Sequence, residues 1–304
     1  MRKLTLWEAL EPRLAEQRRH VVSDWRTFLL LRQVTDQIPP ARRRWRAAPA
    51  DLAEVRLLLE RFSRQQLLRP LDGLPQIYQI ATPYALLDPL QDIEVLFEAH
   101  PFSALAYASA LAFHGLSEDF PRHLHVLIPE RGDGGLAPLG MTHDDQLALD
   151  TIVTRRPKEI LGREVLWHAT QERRFFDLVE LAPQGSLVRV TSRERTLLDG
   201  LRYPDRCGGF FRVLGAWRNA RETLRVDRVL DLTERFEVAV LRQRVGFLLE
   251  ELGVSSPRFD AWARAAKRGS SSVLAAGQPF ASTFSERWQL SLNASLEALT
   301  GDPA

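Results

Sequence analysis

The chain has 304 residues, 45% of them apolar and 26% charged, enough for two domains that each bury a core of their own. Its one cysteine, Cys207, excludes an intramolecular disulfide and a cysteine-built metal cluster; no apolar run reaches the roughly 18 residues a membrane-spanning helix needs, and the opening MRKLTLWEALEP lacks the apolar core of a secretory leader, so a cytoplasmic protein without membrane contact is expected. The formal net charge of +2 is unevenly spread: residues 1–80 carry 15 Lys+Arg against 9 Asp+Glu, a surplus of +6, and the remainder sums to −4. A local positive field of this kind attracts phosphate.

The first clear helix runs from Asp24 to Gln37, with Trp25, Phe28, Leu29 and Leu31 as its apolar stripe and Ser23 as N-cap. Pro39-Pro40 stops it. A basic turn follows, with Arg42, Arg43, Arg44 and Arg46 around Trp45. Asp51 then caps a second helix whose apolar positions 52, 55, 59 and 62 share one face and leave Arg61 and Arg64 on the other. The turn Pro70–Pro75 and an alternating strand over 76–80 predict a short hairpin.

Helix, basic turn, helix and hairpin is the order of a winged helix-turn-helix module, in which outward side chains of the reading helix reach base edges and the hairpin lies along the backbone. Arg42, Arg43, Arg44, Arg46, Arg61, Arg64 and Gln65 are therefore the candidate DNA contacts. Asp51, Glu54 and Glu60 put negative charge on the same helix, and Glu54 and Glu60 are candidates for internal ion pairs.

Residues 81–100 read as a transition. Beyond it, a buried helix is expected over 103–113, a strand over 123–128, a turn at 131–135, and strands at 165–169, 178–181 and 187–190. Helices are expected over 194–200, 210–219, 226–234 and 238–252, then a loop at 269–272 and a closing segment, Arg287–Asn293. The pattern predicts a mixed α/β (α+β) fold: a winged helix-turn-helix domain over 1–88, then an α/β domain over 89–304 whose C-terminal part is helical.

Signatures of catalysis are missing. There is no G-x-S-x-G elbow and no G-x-x-x-x-G-K-[ST] loop, and none of the three lysines follows a glutamate at the spacing a Glu-x-Lys nuclease motif requires. His123, His125, His143 and Asp145 are the one grouping that a metal-dependent nucleic-acid enzyme could use, but neither H-E-x-x-H nor a cysteine pair supports it. No catalytic residue, metal or cofactor is expected.

The segment Val190–Pro204, VTSRERTLLDGLRYP, resembles a recurrent stretch of the AbiEi family, antitoxins of type IV toxin–antitoxin systems. Upstream, SALAYASALAFHGLSEDFPRHLHVLIP resembles that family's alanine-rich helix leading through His-Gly-Leu to a strand; downstream, PDRCGGFFRVLGAW, VAVLRQRVGFLLEELGV and ERWQLSLN resemble its C-terminal helices and closing motif. The resemblance covers about two-thirds of the chain in order. It implies a winged helix that represses its own operon at inverted repeats, and a C-terminal body that antagonises a nucleotidyltransferase-like toxin directly or indirectly. Within the segment, Leu197, Leu198 and Leu201 form a buried helical face, while Glu194, Arg195 and Asp199 point outward or pair at i,i+4. Arg193, Arg195 and Asp199 are candidate partner contacts. A stand-alone regulator without a toxin is the alternative.

Overall fold

The computed structural model describes residues 2–146, 152–182, 186–269 and 272–301. It is a mixed α/β structure. By compactness the chain divides into one unit of Met1–Ala104, Ile128–Glu172 and Glu180–Arg189, and another of Leu105–Leu127, Arg173–Val179 and Val190–Ala304. That division is discontinuous, whereas the sequence reading places a single cut at 88/89.

The first unit begins with a helix the sequence reading passed over, α1 (Leu6–Glu16). Thr5 accepts a hydrogen bond from the Glu8 N–H at 3.3 Å, and the Glu8 carboxylate accepts one from the Thr5 N–H at 2.8 Å. This reciprocal capping box satisfies two of the donors a helix start leaves open. Strand β1 (Val21–Ser23) leads directly into α2 (Asp24–Gln37), for which Ser23 is the N-cap as expected. After the turn comes α3 (Leu52–Arg64), capped by Asp51, which accepts from the Glu54 N–H at 2.9 Å.

Strands β2 (Leu68–Leu71) and β3 (Leu74–Ile80) make the hairpin, with Leu71 opposite Leu74. The two residues between them are Asp72 and Gly73, and Gly73 adopts φ +71°, a conformation that costs glycine little. Strand β1 pairs antiparallel with β3, Val22 opposite Tyr78, so the small sheet has the order β1-β3-β2. The sequence α1-β1-α2-α3-β2-β3 with this sheet order is a complete winged helix. Its core packs Leu10 and Leu14 of α1 with Trp25, Phe28 and Leu29 of α2 and Val55, Leu59 and Phe62 of α3; the Trp7 and Phe62 rings meet edge-on at 5.1 Å.

The expected transition contains an eight-residue helix, α4 (Asp92–Ala99), whose last five residues are all buried. The helix expected over 103–113 is in fact a strand, β4 (Ala104–Leu105), followed by α5 (Tyr107–Phe113). Tyr107 sits at φ +52°, which breaks any helix running in from Ser103. Strands β5 (Leu124–Pro129), β6 (Glu159–Ile160), β7 (Arg163–Thr170), β8 (Leu178–Leu181) and β9 (Val188–Thr191) complete a six-stranded sheet of order β6-β7-β5-β4-β9-β8. The turn at 131–135 is present, and a short α6 (His143–Gln146) follows.

The second unit is mainly helical. Helices α7 (Arg193–Arg202), α8 (Phe210–Ala220), α9 (Val226–Arg235) and α10 (Ala239–Glu251) lie within two residues of their expected bounds, and α7 packs against α5, α8, α9 and α10. Helix α11 (Pro257–Ala265) has no counterpart in the sequence reading. Short strands β10 (Phe284–Ser285) and β11 (Leu290–Ser291) pair within the tail, and α12 (Glu297–Thr300) packs on α8. Of the expected loop at 269–272, residues 270 and 271 lie outside the described residues.

Candidate nucleic-acid interface

Helix α3 is the element a winged helix presents to DNA, and its outward face follows from its core face. Val55, Leu59 and Phe62 are buried, so Ala53, Glu54, Leu57, Glu60, Arg61 and Arg64 are exposed, with Gln65 exposed as C-cap. Arg61 forms no ion pair among the described residues. Arg64 approaches Glu60 at 3.6 Å, a surface pair on one helical turn that contributes little to stability. Arg56, by contrast, is drawn inward by Asp24 at 2.9 Å and belongs to the scaffold.

The acids of α3 have assigned tasks. Glu54 forms no ion pair among the described residues; its carboxylate accepts a hydrogen bond from the Ala50 N–H at 2.9 Å, one residue before the Asp51 cap, and so ties down the entry to α3. Glu60 does form the expected pair, with Arg64.

The basic turn is held from two sides, by Leu4 and by Thr35. Leu4 donates to the Arg42 carbonyl and accepts from the Arg44 N–H, both at 2.9 Å. The Trp45 indole donates to Thr35 Oγ1 at 2.9 Å, and the Arg43 guanidinium donates to the Thr35 carbonyl at 2.7 Å. Arg43, half-buried and bonded to the end of α2, is thus an anchor of the turn, while Arg42, Arg44 and Arg46 remain exposed. The anchoring by Leu4 depends on a distant segment, and nothing in the local sequence around the turn announces it. Two further outward residues were overlooked, Leu57 (66% exposed) and Arg69 on β2. The stripe periodicity already places position 57 opposite the core, but an apolar residue there does not read as a contact.

The candidate partner-contact residues of the second unit lie elsewhere than expected. Arg193 is half-buried, but Arg195 and Asp199 are buried and bonded to each other at 2.9 Å, and Arg195 also donates to the Phe176 carbonyl at 2.8 Å. Glu194, also expected outside, is buried under Arg225, which meets it through two bonds of 2.7 and 2.9 Å. Burial works against ionisation of Glu194, yet the Arg225 bonds outweigh it and its carboxyl is lowered below the usual range. The i,i+4 pairing is present; the outward orientation is not. Packing of α5, α8, α9 and α10 around α7 leaves these charges no outside to face.

The alternative metal grouping does not assemble. Asp145 caps α6 through Thr142 and accepts from the Gln33 amide at 2.7 Å, and the His125 ring lies edge-on to Tyr107 at 6.3 Å. Among the described residues, no group of three or more His, Cys, Asp or Glu side chains is placed to hold a metal ion. Nor is any described helix long and apolar enough to cross a membrane.

No family model and no curated protein matches the chain. Among solved structures, the crystal structure of the Rv2827c protein from Mycobacterium tuberculosis is similar, with a TM-score of 0.51 and 13% identity over 94% of this chain and 90% of that one. At that identity the likeness is one of fold.

Proposed function

We propose that the protein is a DNA-binding transcriptional repressor and antitoxin of the AbiEi kind, which autoregulates its operon and opposes a nucleotidyltransferase-like toxin. The observation that carries the reading is the complete winged helix, with exposed arginines on two parts that such modules turn toward DNA: Arg42, Arg44 and Arg46 on the turn, Arg61 and Arg64 with Gln65 on α3. Arginine forks suit phosphate oxygens and the major-groove edge of guanine. The resemblance of Val190–Pro204 and its flanking segments supplies the antitoxin half of the proposal, with inverted-repeat operator DNA and the toxin as partners.

The test is a gel-shift titration of the full chain on DNA from upstream of its own gene, across a salt series with unrelated DNA as competitor. Specific, salt-sensitive shifts are expected, because each phosphate neutralised by an arginine releases counterions. No specific shift at low salt by folded protein refutes the operator reading. Co-expression with the neighbouring toxin, if one is encoded there, tests the antitoxin half separately by growth rescue.

A further inference from the structure

Two phenylalanine rings in the second unit are packed among arginines. Phe176 and Phe236 lie 5.1 Å apart, centroid to centroid. The guanidinium carbon of Arg195 is 4.6 Å from each ring, that of Arg235 is 4.0 Å from Phe176, and that of Arg202 is 4.5 Å from Phe236. Among the described residues, Asp199 is the one carboxylate that pairs with any of the three: it meets Arg195 at 2.9 Å and Arg202 at 3.8 Å, while Arg235 has no such partner. Cation–π contact thus holds together a cluster that carries more positive charge than its carboxylate offsets.

The surplus adjoins a cavity of about 280 Å³ lined by Arg173, Arg174, Arg235, Phe236 and Glu237. Arg173 and Arg235 are exposed and Arg174 is half-buried. The Arg235 guanidinium rests on Phe176, a contact that positions the group without using its N–H donors. Among the described residues, neither it nor the Arg174 guanidinium makes a hydrogen bond or ion pair, and Glu237, the one carboxylate of the lining, pairs with neither. Burial lowers Arg202 below its usual range, and the Arg174 and Arg195 charges add to that effect against the pull of Asp199. Lining and buried cluster therefore share one positive field.

The chemistry of the lining selects the ligand. Its guanidinium groups come from two segments, Arg173-Arg174 and Arg235, whereas a carboxylate, with two oxygens in one plane, is matched by a single arginine fork. A terminal phosphate presents three acceptor oxygens and carries a charge of about −1.5 to −2 at neutral pH. That charge suits a lining of three arginines and one glutamate. Phe236 is the one apolar residue of the lining and is 2% exposed, so no face is offered to a base or an apolar body. We propose that this cavity binds the terminal phosphate group of a small phosphorylated ligand, with Arg174 and Arg235 as its principal donors and the rest of the ligand left in solvent. A backbone phosphodiester, with a single charge and no terminal group, matches the surplus less well. None of these residues belongs to the DNA-contact set, so the proposal stands or falls apart from the operator reading.

Isothermal titration of the full-length protein with methyl phosphate, pyrophosphate and acetate, at matched ionic strength, tests the proposal. Saturable binding of both phosphates is expected, with acetate inert; acetate bound as tightly as methyl phosphate refutes the choice of ligand. Arg174→Gln and Arg235→Gln should each weaken pyrophosphate binding about tenfold or more, the loss expected for a charged hydrogen-bonding partner. The Arg174 side chain has no hydrogen bond, ion pair or ring contact among the described residues, so its variant keeps the packing, and melting curves verify the fold of both. Arg264→Gln, the same change at an exposed position of α11, should leave binding unchanged. Absence of saturable phosphate binding by the wild-type protein up to about 10 mM overturns the proposal, as does full affinity in both cavity variants or equal weakening by Arg264→Gln. A duplex of unrelated sequence without terminal phosphates probes the other source of phosphate. Arg235→Gln should bind it as the wild type does; lost duplex affinity assigns the arginines to a nucleic-acid backbone and overturns the proposal too.

Discussion

Asp199→Asn isolates the contribution of a buried ion pair in the second unit. Arg195 Nε and Asp199 Oδ2 lie 2.9 Å apart with side-chain exposures of 2% and 1%, and Arg202 approaches the other Asp199 oxygen at 3.8 Å. Removing one partner of such a pair leaves a buried charge uncompensated and costs about 3–5 kcal/mol. Asparagine keeps an acceptor for Arg195 Nε, and the Phe176 and Phe236 rings each lie 4.6 Å from the guanidinium carbon. Those residual interactions place the expected destabilisation at the lower end, about 3 kcal/mol. Urea denaturation followed by tryptophan fluorescence reads it as a lower midpoint at unchanged slope. The double substitution Arg195→Met with Asp199→Leu, which removes both charges and fills the space, should recover most of the stability. A single-variant change below about 0.5 kcal/mol, the scale of ordinary surface substitutions, would refute the burial argument and return Asp199 to the surface as a partner contact.

Other expected outcomes are as specific. Arg61→Ala and Arg64→Ala should each weaken operator binding by about 1–3 kcal/mol for every base edge the arginine reads, with unchanged melting, and unaltered affinity in both variants would mean that α3 does not read the DNA. Burial, reinforced by the Arg156 charge, pushes His100 down to about 4 from 6.5. Between those values the unfolded chain binds more protons than the folded one, so this group's stabilisation is complete above pH 6.5 and is lost as pH falls through 4, by up to about 3 kcal/mol. His100→Gln should flatten that slope in denaturation curves taken from pH 4 to 7; an undiminished slope assigns it to other groups. A methyl on Gly246 would overlap the six-membered ring of Trp288, so Gly246→Ala should destabilise by about 1–3 kcal/mol and shift the Trp emission, and a wild-type melting point would show that the ring can move aside.

What the sequence revealed and concealed divides along physical lines. The stripes of α2, α3 and α7–α10 were legible because burial on one helical face imposes a period that survives in the residue order. Helix α1 was missed although Thr5-Leu6-Trp7-Glu8 spells a capping box, because Pro12 interrupts the helical pattern and hides the stripe formed by Trp7, Leu10 and Leu14. Strand β1 is three residues long, too short to alternate, and exists only because β3 lies beside it. Buried charge was the least legible feature. Arg26, Glu98, Arg195 and Asp199 carry no local mark that distinguishes them from solvated residues, since what buries them is the convergence of elements distant in sequence. The same holds within the candidate interface, where periodicity located Arg61 and Arg64 but could not separate Arg43, an anchor, from its exposed neighbours.

The charge distribution over the winged helix bears on how the proposed operator binding would divide its labour. On the outward face of α3, Arg61 and Arg64 are balanced by Glu54 and Glu60, so the helix brings little net field to the phosphate backbone. The turn differs, since Arg42, Arg44 and Arg46 are exposed there without an acid among their sequence neighbours. Under the proposed operator reading, electrostatic attraction and salt dependence would belong to the turn, and discrimination among sequences to α3, where Arg61, Arg64 and Gln65 would meet base edges and Leu57 would offer an apolar contact for a thymine methyl. Neutralising all three turn arginines should lower the slope of log affinity against log salt by about 2.7, at roughly 0.9 per phosphate contact, while leaving the ranking of operator variants intact. Replacing Arg61 should do the reverse, scrambling the ranking with little change in slope. An operator preference that collapses with the turn arginines would instead assign sequence reading to the turn, and α3 would then serve only as its support.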